Sequence, residues 1–261
     1  MPPPYRPPHW SVFAGIPYLP AGPVGSAPKG WVATHGLGGV PTGAIPLPAH
    51  QLTRVEVRDI CQNPSNPVLF GYVCAMAWGL QGAGLGRAGH VRAAWGASSS
   101  IHAKLTVLRA GGLTRNASYN LFCGAGAIQG LGPAYFTKLL YFFQPVPNCY
   151  IMDQHAGKSV DLLTGNWVVR MAGNAVSPLN KDGNYQAYCE EVDHMAVLLS
   201  SRSGTVISGP QVEEMMMSKG GRFPLLWRSH VRKKWLPDAP AGRYSPTALH
   251  TNYPHIPLHC F

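Results

Sequence analysis

The stretch Gly126–Val160, GAIQGLGPAYFTKLLYFFQPVPNCYIMDQHAGKSV, decides the reading of this chain. It starts at the end of a short predicted helix and turns through Gly130-Leu131-Gly132. Pro133 follows, and proline is favoured just inside a helix start because its missing N–H would be unpaired there anyway. From Phe136 onward the apolar residues Phe136, Leu139, Leu140 and Phe143 recur at i, i+3, i+4 and i+7, which predicts a helix with one apolar face. Lys138 falls off that face. The helix stops before Pro145 and Pro147, and the short apolar run Tyr150-Ile151-Met152 leads to Asp153. A second helix is predicted from Ala156 to Leu163, closed by Gly165. One segment therefore offers a glycine hairpin at a helix start, a lysine off the packed face and an acid at the next helix start.

This pattern resembles the helix–hairpin–helix DNA glycosylase superfamily, which carries L-x-G-hydrophobic-G, a helix, and a Gly/Pro-rich connection ending in Asp. The matching residues are Gly130, Leu131, Gly132 and Asp153, and Asp153-Gln154-His155 matches the frequent Asp-x-His. The 21-residue separation of Gly132 from Asp153 is the one that family requires. The string LGPAYFTKLLYF…YIMDQ is most similar to bacterial 8-oxoguanine-glycosylase-like proteins, a branch that includes antiviral glycosylases acting on modified phage bases. The resemblance implies a mostly α, two-lobed helix–hairpin–helix DNA glycosylase fold with an irregular Pro/Gly-rich N-terminal arm over residues 1–48. A helical glycosylase domain would span 49–225, with the hairpin motif at 118–144 and the catalytic Asp region at 150–163. A basic irregular tail, 226–261, would pack on it.

Composition points the same way. Of 261 residues only 12% are charged, yet 21 are Lys or Arg and 11 are Asp or Glu, a net charge of +10. A one-sided basic surplus suits a polyanionic partner, because Lys and Arg replace the counterions around phosphate. The six cysteines show no C-x-x-C spacing, which argues against a zinc ribbon and against the iron–sulfur cluster some relatives carry. They read as reduced, partly buried thiols of a cytosolic protein. The start, MPPPYRPPHW, lacks the pattern of a secretory leader, and no apolar run approaches membrane-spanning length. The expectation is a cytoplasmic, bacterial-type monomer that binds double-stranded DNA containing a modified base, with no membrane association and no cofactor or metal.

Residues 1–48 hold 12 of the 25 prolines, eight glycines and two charges, Arg6 and Lys29, which reads as an extended arm without helix. Helices are predicted near 50–62, 68–80, 99–110, 116–125, 185–199 and 211–217, the last with Glu213 and Glu214 in early turns, where the helix dipole favours acids. Asn166 to Pro178 is ambiguous. Gly82, Gly84 and Gly86 follow a helical pattern, not a strand, and lack the trailing Lys-Ser/Thr of a phosphate loop. A turn at a cleft mouth fits better, with Arg87 able to touch a phosphate. In the tail, Arg232 and Lys233 sit among Trp227, His230 and Trp235, the basic and aromatic mixture of a DNA-facing surface. A solvated tail packed by its tryptophans is the competing reading.

The chemistry follows from residue type. Glycines allow close backbone approach, and a helix start presents unpaired N–H groups, so a DNA phosphate could dock at Gly130 and Gly132. A tight interhelix turn would look the same. Cleaving a base–sugar bond develops positive charge on the deoxyribose, which a fixed carboxylate such as Asp153 would stabilise. Asp153 also suits a plain N-cap. Relatives that form a Schiff base keep their lysine two residues after the second hairpin glycine, where this chain has Ala134; Lys138 lies one turn further on. Either Lys138 attacks, with strand nicking to follow, or water attacks with help from Asp153. His155 could touch a backbone phosphate, and Gln154, Tyr135, Trp78 and Trp95 are candidates to contact an extruded base. Helical aromatics are more often core. The base would be an oxidised purine such as 8-oxoguanine, or a glucosylated hydroxymethylcytosine of phage DNA. A small aromatic sandwich favours the first, a wide polar cavity the second. A DNA-binding module that uses the hairpin without catalysis is the alternative.

Overall fold

The computed structural model describes residues 5–20, 22–42, 45–79, 88–217 and 226–240. Among these the chain is mostly α, with one small antiparallel hairpin. The centre is α4 (Val68–Trp78), VLFGYVCAMAW, in which every residue but Leu69 is buried. A helix apolar on all sides has to be wrapped. Its neighbours are α2 (Pro28–His35), α3 (Arg54–Gln62), α6 (Ser98–Ala110) and α8 (Pro133–Phe143). Thr53 starts α3 with a full capping box, its hydroxyl accepting from Glu56 N–H while the Glu56 carboxylate accepts from Thr53 N–H.

Two short helices occupy the stretch expected to lack helix. They are α1 (Pro7–Phe13) and α2, and both have proline in the first turn. A proline there costs no hydrogen bond, so these prolines mark helix starts where they had read as breakers. Burial then holds the helices: Trp10, Phe13 and Trp31 all lie in the core. The basic segment read as an irregular tail likewise begins as a helix, α12 (Leu226–Asp238). Its Trp227 packs against Phe13 at 4.9 Å and donates its indole N–H to Ser159 Oγ at 2.8 Å. Residues 241–261 lie outside the described part.

The glycine turn is approached through α7 (Arg115–Asn120) and a 3₁₀ turn at Gly124–Gly126, so the helix expected to reach 125 ends at Asn120. After the turn, α8 begins at Pro133 with Gly132 as its N-cap. It is not one-faced: all residues from Phe136 to Phe143 are buried, Lys138 included. The chain leaves α8 at Gln144, whose buried amide donates to Leu113 C=O at 2.8 Å and whose oxygen accepts from Ser118 at 3.2 Å.

The run 150–152 is then pinned from two sides. Tyr185 and Tyr188 of α10 (Asp182–Ser203) donate to the carbonyls of Tyr150 and Ile151, at 2.9 and 2.7 Å. Met152 N–H donates to Thr137 Oγ1 on α8 at 3.1 Å. These three bonds fix where Asp153 emerges. Helix α9 (Gln154–Thr164) follows and closes at Gly165, whose φ of 73° is the left-handed cap that favours glycine. The ambiguous stretch becomes the hairpin β1 (Met171–Ala172) and β2 (Ala175–Val176), in register Met171 to Val176.

Candidate active site

A cleft of about 830 Å³ lies along the glycine turn and the first turns of α8. Gly130 to Tyr135 line one part of it, with Tyr119 and Phe122 from the preceding segment. The β1–β2 hairpin lines another through Ala172, Asn174 and Ala175. Lys138, Asp153 and Gln154 also open on it. The tertiary fold thus gathers Gly130, Gly132, Tyr135, Lys138, Asp153 and Gln154 around one space.

Lys138 is 5% exposed. Its ammonium donates to Ala134 C=O at 2.6 Å and lies 5.2 Å from the centre of the Tyr135 ring. Ala134 and Lys138 both border the cleft, one turn apart. The lysine stem passes over Gly79 at the end of α4: a Cβ there would lie 2.6 Å from Lys138 Cδ and 2.8 Å from Cε. Burial pushes the Lys138 pKa down from its ordinary value, against an upward pull from Asp153 and Glu213. A surface lysine is thereby excluded, and a larger share of amine is neutral than in water.

Asp153 caps α9. Its Oδ1 accepts from His155 N–H at 2.8 Å and Ala156 N–H at 2.9 Å, while Oδ2 makes no hydrogen bond among the described residues. One oxygen serves the helix and the other remains available to a ligand. The amides of Gly132 and Ala134 at the start of α8 also make no hydrogen bond among the described residues. They are donors for an anion, aided by the helix dipole.

His155 is partly buried, and its side chain faces Gln154 at 3.4 Å. Burial lowers its pKa; Asp153 opposes this, while Arg228, Arg232 and Lys158 add to it. His155 is therefore a neutral donor or acceptor at pH 7, next to a cationic group built by α9 and α12. Arg228 and Arg232 are one turn apart on α12, and Lys158 reaches from α9 to Asn174 Oδ1 at 2.8 Å on the hairpin. Lys233 is exposed on α12.

Other sequence-based expectations shift. Trp78 is a core residue packed edge-on against Phe142 at 5.1 Å, and Trp95 donates to Gly38 C=O at 3.1 Å; neither lines the cleft. Trp78 thus packs on the far end of α8 from the turn, and Trp95, in α5 (Ala88–Gly96), stacks on Tyr72 of α4 at 6.1 Å. Arg87 and the glycines at 82, 84 and 86 lie outside the described residues. Glu213, expected in an early helical turn, is wholly buried in α11 (Gly209–Met217) and paired with Arg54. Tyr119, Phe122 and Asn174 line the cleft but carried no local signal for it. Among the described residues Cys61, Cys74, Cys149 and Cys189 are buried, and these four and Cys123 are free thiols. Among the described residues no group of three or more His, Cys, Asp or Glu could hold a metal ion, and no helix is long and apolar enough to cross a membrane.

The two glycines of the turn differ in their reasons. Gly130 has φ of 82°, and a Cβ on it would lie 2.1 Å from the His90 carbonyl oxygen. Gly132 has φ of −73° and open space where a Cβ would go. Gly130→Ala is expected to destabilise the fold by roughly 2–4 kcal/mol, from left-handed strain and overpacking. Gly132→Ala meets nothing within 4 Å and is expected to cost no more than about 1 kcal/mol, from loss of a favoured N-cap residue, but to weaken DNA binding by crowding the cleft it lines. Thermal unfolding and a binding titration on each variant separate the effects; equal binding by Gly132→Ala and wild type would leave the turn a purely structural connection.

A mostly helical, basic chain thus sets a buried lysine and a helix-capping carboxylate with one uncommitted oxygen on a single cleft. The family model described as "Putative 8-oxoguanine DNA glycosylase OGG-like protein" matches residues 23–216, about three quarters of the chain. The chain belongs to this OGG-like glycosylase family. No curated protein sequence and no solved structure matches it.

Proposed function

We propose that the protein is a DNA glycosylase that takes a modified base out of duplex DNA and breaks its N-glycosidic bond, with Lys138 as nucleophile and Asp153 as the charge-stabilising carboxylate. The observation that carries this is the pairing of a buried lysine of lowered pKa with an aspartate whose Oδ2 is uncommitted, both lining one cleft. A packing or DNA-binding module has no use for a buried amine, which costs desolvation.

In this mechanism neutral Lys138 Nζ adds to C1′ as the bond from C1′ to the base breaks, and the surplus proton on nitrogen leaves with the base. Positive charge that builds on the sugar faces Asp153 Oδ2, whose partner Oδ1 is immobilised by the α9 amides and so needs no reorganisation. Protonation of O4′ opens the sugar ring and gives an iminium joined to Lys138. Water then releases an abasic aldehyde and regenerates the ammonium, or loss of the 3′ phosphate nicks the strand. The amides of Gly132 and Ala134 hold a phosphate, and Arg228 and Arg232 hold the backbone beside His155. Tyr135 and Gln154 contact the extruded base.

The family's description favours an oxidised purine of the 8-oxoguanine type. A second reading, a bulky glucosylated cytosine of phage DNA, draws support from the cleft volume of about 830 Å³ and from Asn174, Gln154 and Asp153 on its walls. The test is mass-spectrometric detection of bases released from duplexes carrying 8-oxoguanine, glucosylated hydroxymethylcytosine or unmodified bases. Release of none would defeat the glycosylase reading. In the same duplexes, the double variant Arg228→Gln/Arg232→Gln is expected to reduce the slope of log affinity against log salt by about 1–2. An unchanged slope would remove α12 from the DNA interface.

A further inference from the structure

The β1–β2 hairpin forms a wall of the cleft that the chemistry of Lys138 and Asp153 leaves unused. Two residues, Gly173 and Asn174, join its strands, and the φ of 59° at Gly173 is the left-handed geometry that tight hairpin turns favour. The hairpin is fixed at its base, where Asn180 accepts from Arg170 N–H at 2.8 Å and donates to Arg170 C=O at 2.9 Å. It also lies directly on α9: a Cβ at Gly157 would be 3.0 Å from Val169 Cγ1 and 3.4 Å from Met171 Sδ. At the tip, Lys158 Nζ donates to Asn174 Oδ1 at 2.8 Å. The same ammonium sits 5.5 Å from the centre of the Trp235 ring, which packs edge-on against Trp167 at 5.7 Å.

An ammonium only donates, so this bond fixes which way round the Asn174 amide stands. Its oxygen is taken by Lys158, and its NH2 makes no hydrogen bond among the described residues. Asn174 lines the cleft and Lys158 does not, so the bond occupies the tip from outside the cleft and leaves two N–H donors for a ligand within it. We propose that Asn174, oriented by Lys158, determines specificity by donating to the oxygen that distinguishes a modified base from its normal parent. The proposal rests on the reading of this cleft as the site of the extruded base. Both candidate modifications add an oxygen acceptor. In 8-oxoguanine a carbonyl oxygen replaces the hydrogen on C8, and in glucosylated hydroxymethylcytosine the sugar brings hydroxyl oxygens. A parent base without that oxygen leaves the donors unpaired, which is how a site built to hydrogen-bond one group rejects the analogue lacking it. Because Lys158 already holds the amide, little side-chain freedom is lost when the base arrives.

The test is binding to duplexes made resistant to cleavage by a fluorine on the sugar of the target nucleotide. One pair of duplexes carries 8-oxoguanine or guanine, the other glucosylated hydroxymethylcytosine or hydroxymethylcytosine. Wild type is expected to prefer the modified member of at least one pair, and that pair names the source of the oxygen. Asn174→Ala is expected to narrow the preference about tenfold. Asn174→Asp keeps the contact with Lys158 but has no hydrogen to donate, and should narrow it at least as far. Lys158→Met releases the amide and narrows the preference in part, whereas Lys158→Arg, which still donates, keeps it. A preference that is unchanged in Asn174→Ala and Asn174→Asp, or absent from wild type, overturns the proposal. Base release plays no part in this readout. A protein that prefers the modified base and excises nothing would therefore defeat the glycosylase activity and leave the role of Asn174 standing on its binding result.

Discussion

Asp153→Asn is expected to lower base release by about 10²–10⁴-fold while unfolding at nearly the temperature of wild type. The two jobs of this residue separate cleanly in that variant. Asparagine caps helices as well as aspartate does, so the bonds to His155 and Ala156 N–H survive and the stability change stays within a few tenths of a kcal/mol. What is lost is the negative charge at Oδ2. Asp153→Ala removes both, and should cost about 1 kcal/mol in addition. Single-turnover base release and thermal unfolding, measured on both variants, decide the matter. Full activity in Asp153→Asn would reduce Asp153 to a helix cap and take the chemistry elsewhere in the cleft.

Lys138→Met is expected to abolish borohydride trapping on a substrate duplex and to raise the melting temperature at pH 7. The second effect follows from linkage. Folding lowers the Lys138 pKa from 10.5, so the unfolded chain binds more protons over the interval between the two values. Stability therefore rises with pH through that interval, is fullest above 10.5 and is lost as pH falls through the folded value. Methionine fills the same slot without a charge, and so removes the penalty at neutral pH and flattens the alkaline rise. A companion variant tests the slot. Gly79→Ala places a methyl 2.6 Å from Lys138 Cδ and should displace the amine, cutting trapping severalfold in a protein that still folds. Trapping that persists in Lys138→Met would place the nucleophile on another residue.

Much of this site was legible in one stretch of sequence because its parts are local. A glycine pair, a proline at a helix start and an aspartate before a helix obey rules that span three or four residues. The boundaries of α8 and α9 follow from those rules, and their order along the chain brings both helix starts toward the same cleft. Lys138 shows where local reading stops. Its position off the i, i+3, i+4, i+7 stripe left open whether it faces solvent or a pocket, and packing of α8 against α3, α4, α6 and α7 buries it. Only Gly79, 59 positions earlier, makes room for its stem. The prolines of α1 and α2 misled for the related reason that their place in a first turn depends on tertiary burial of Trp10, Phe13 and Trp31.

The sequence by itself determined the mostly α class, the basic character, the glycine turn and the placement of Asp153 at the start of α9, because capping and periodicity act over a few residues. The tertiary structure alone decided that Lys138 is buried, that Trp78 belongs to the core with Trp95 packed against it, and that Arg54 and Glu213 form a buried ion pair. Those facts depend on which distant helices exclude water from a side chain, and desolvation is a property of the packed whole.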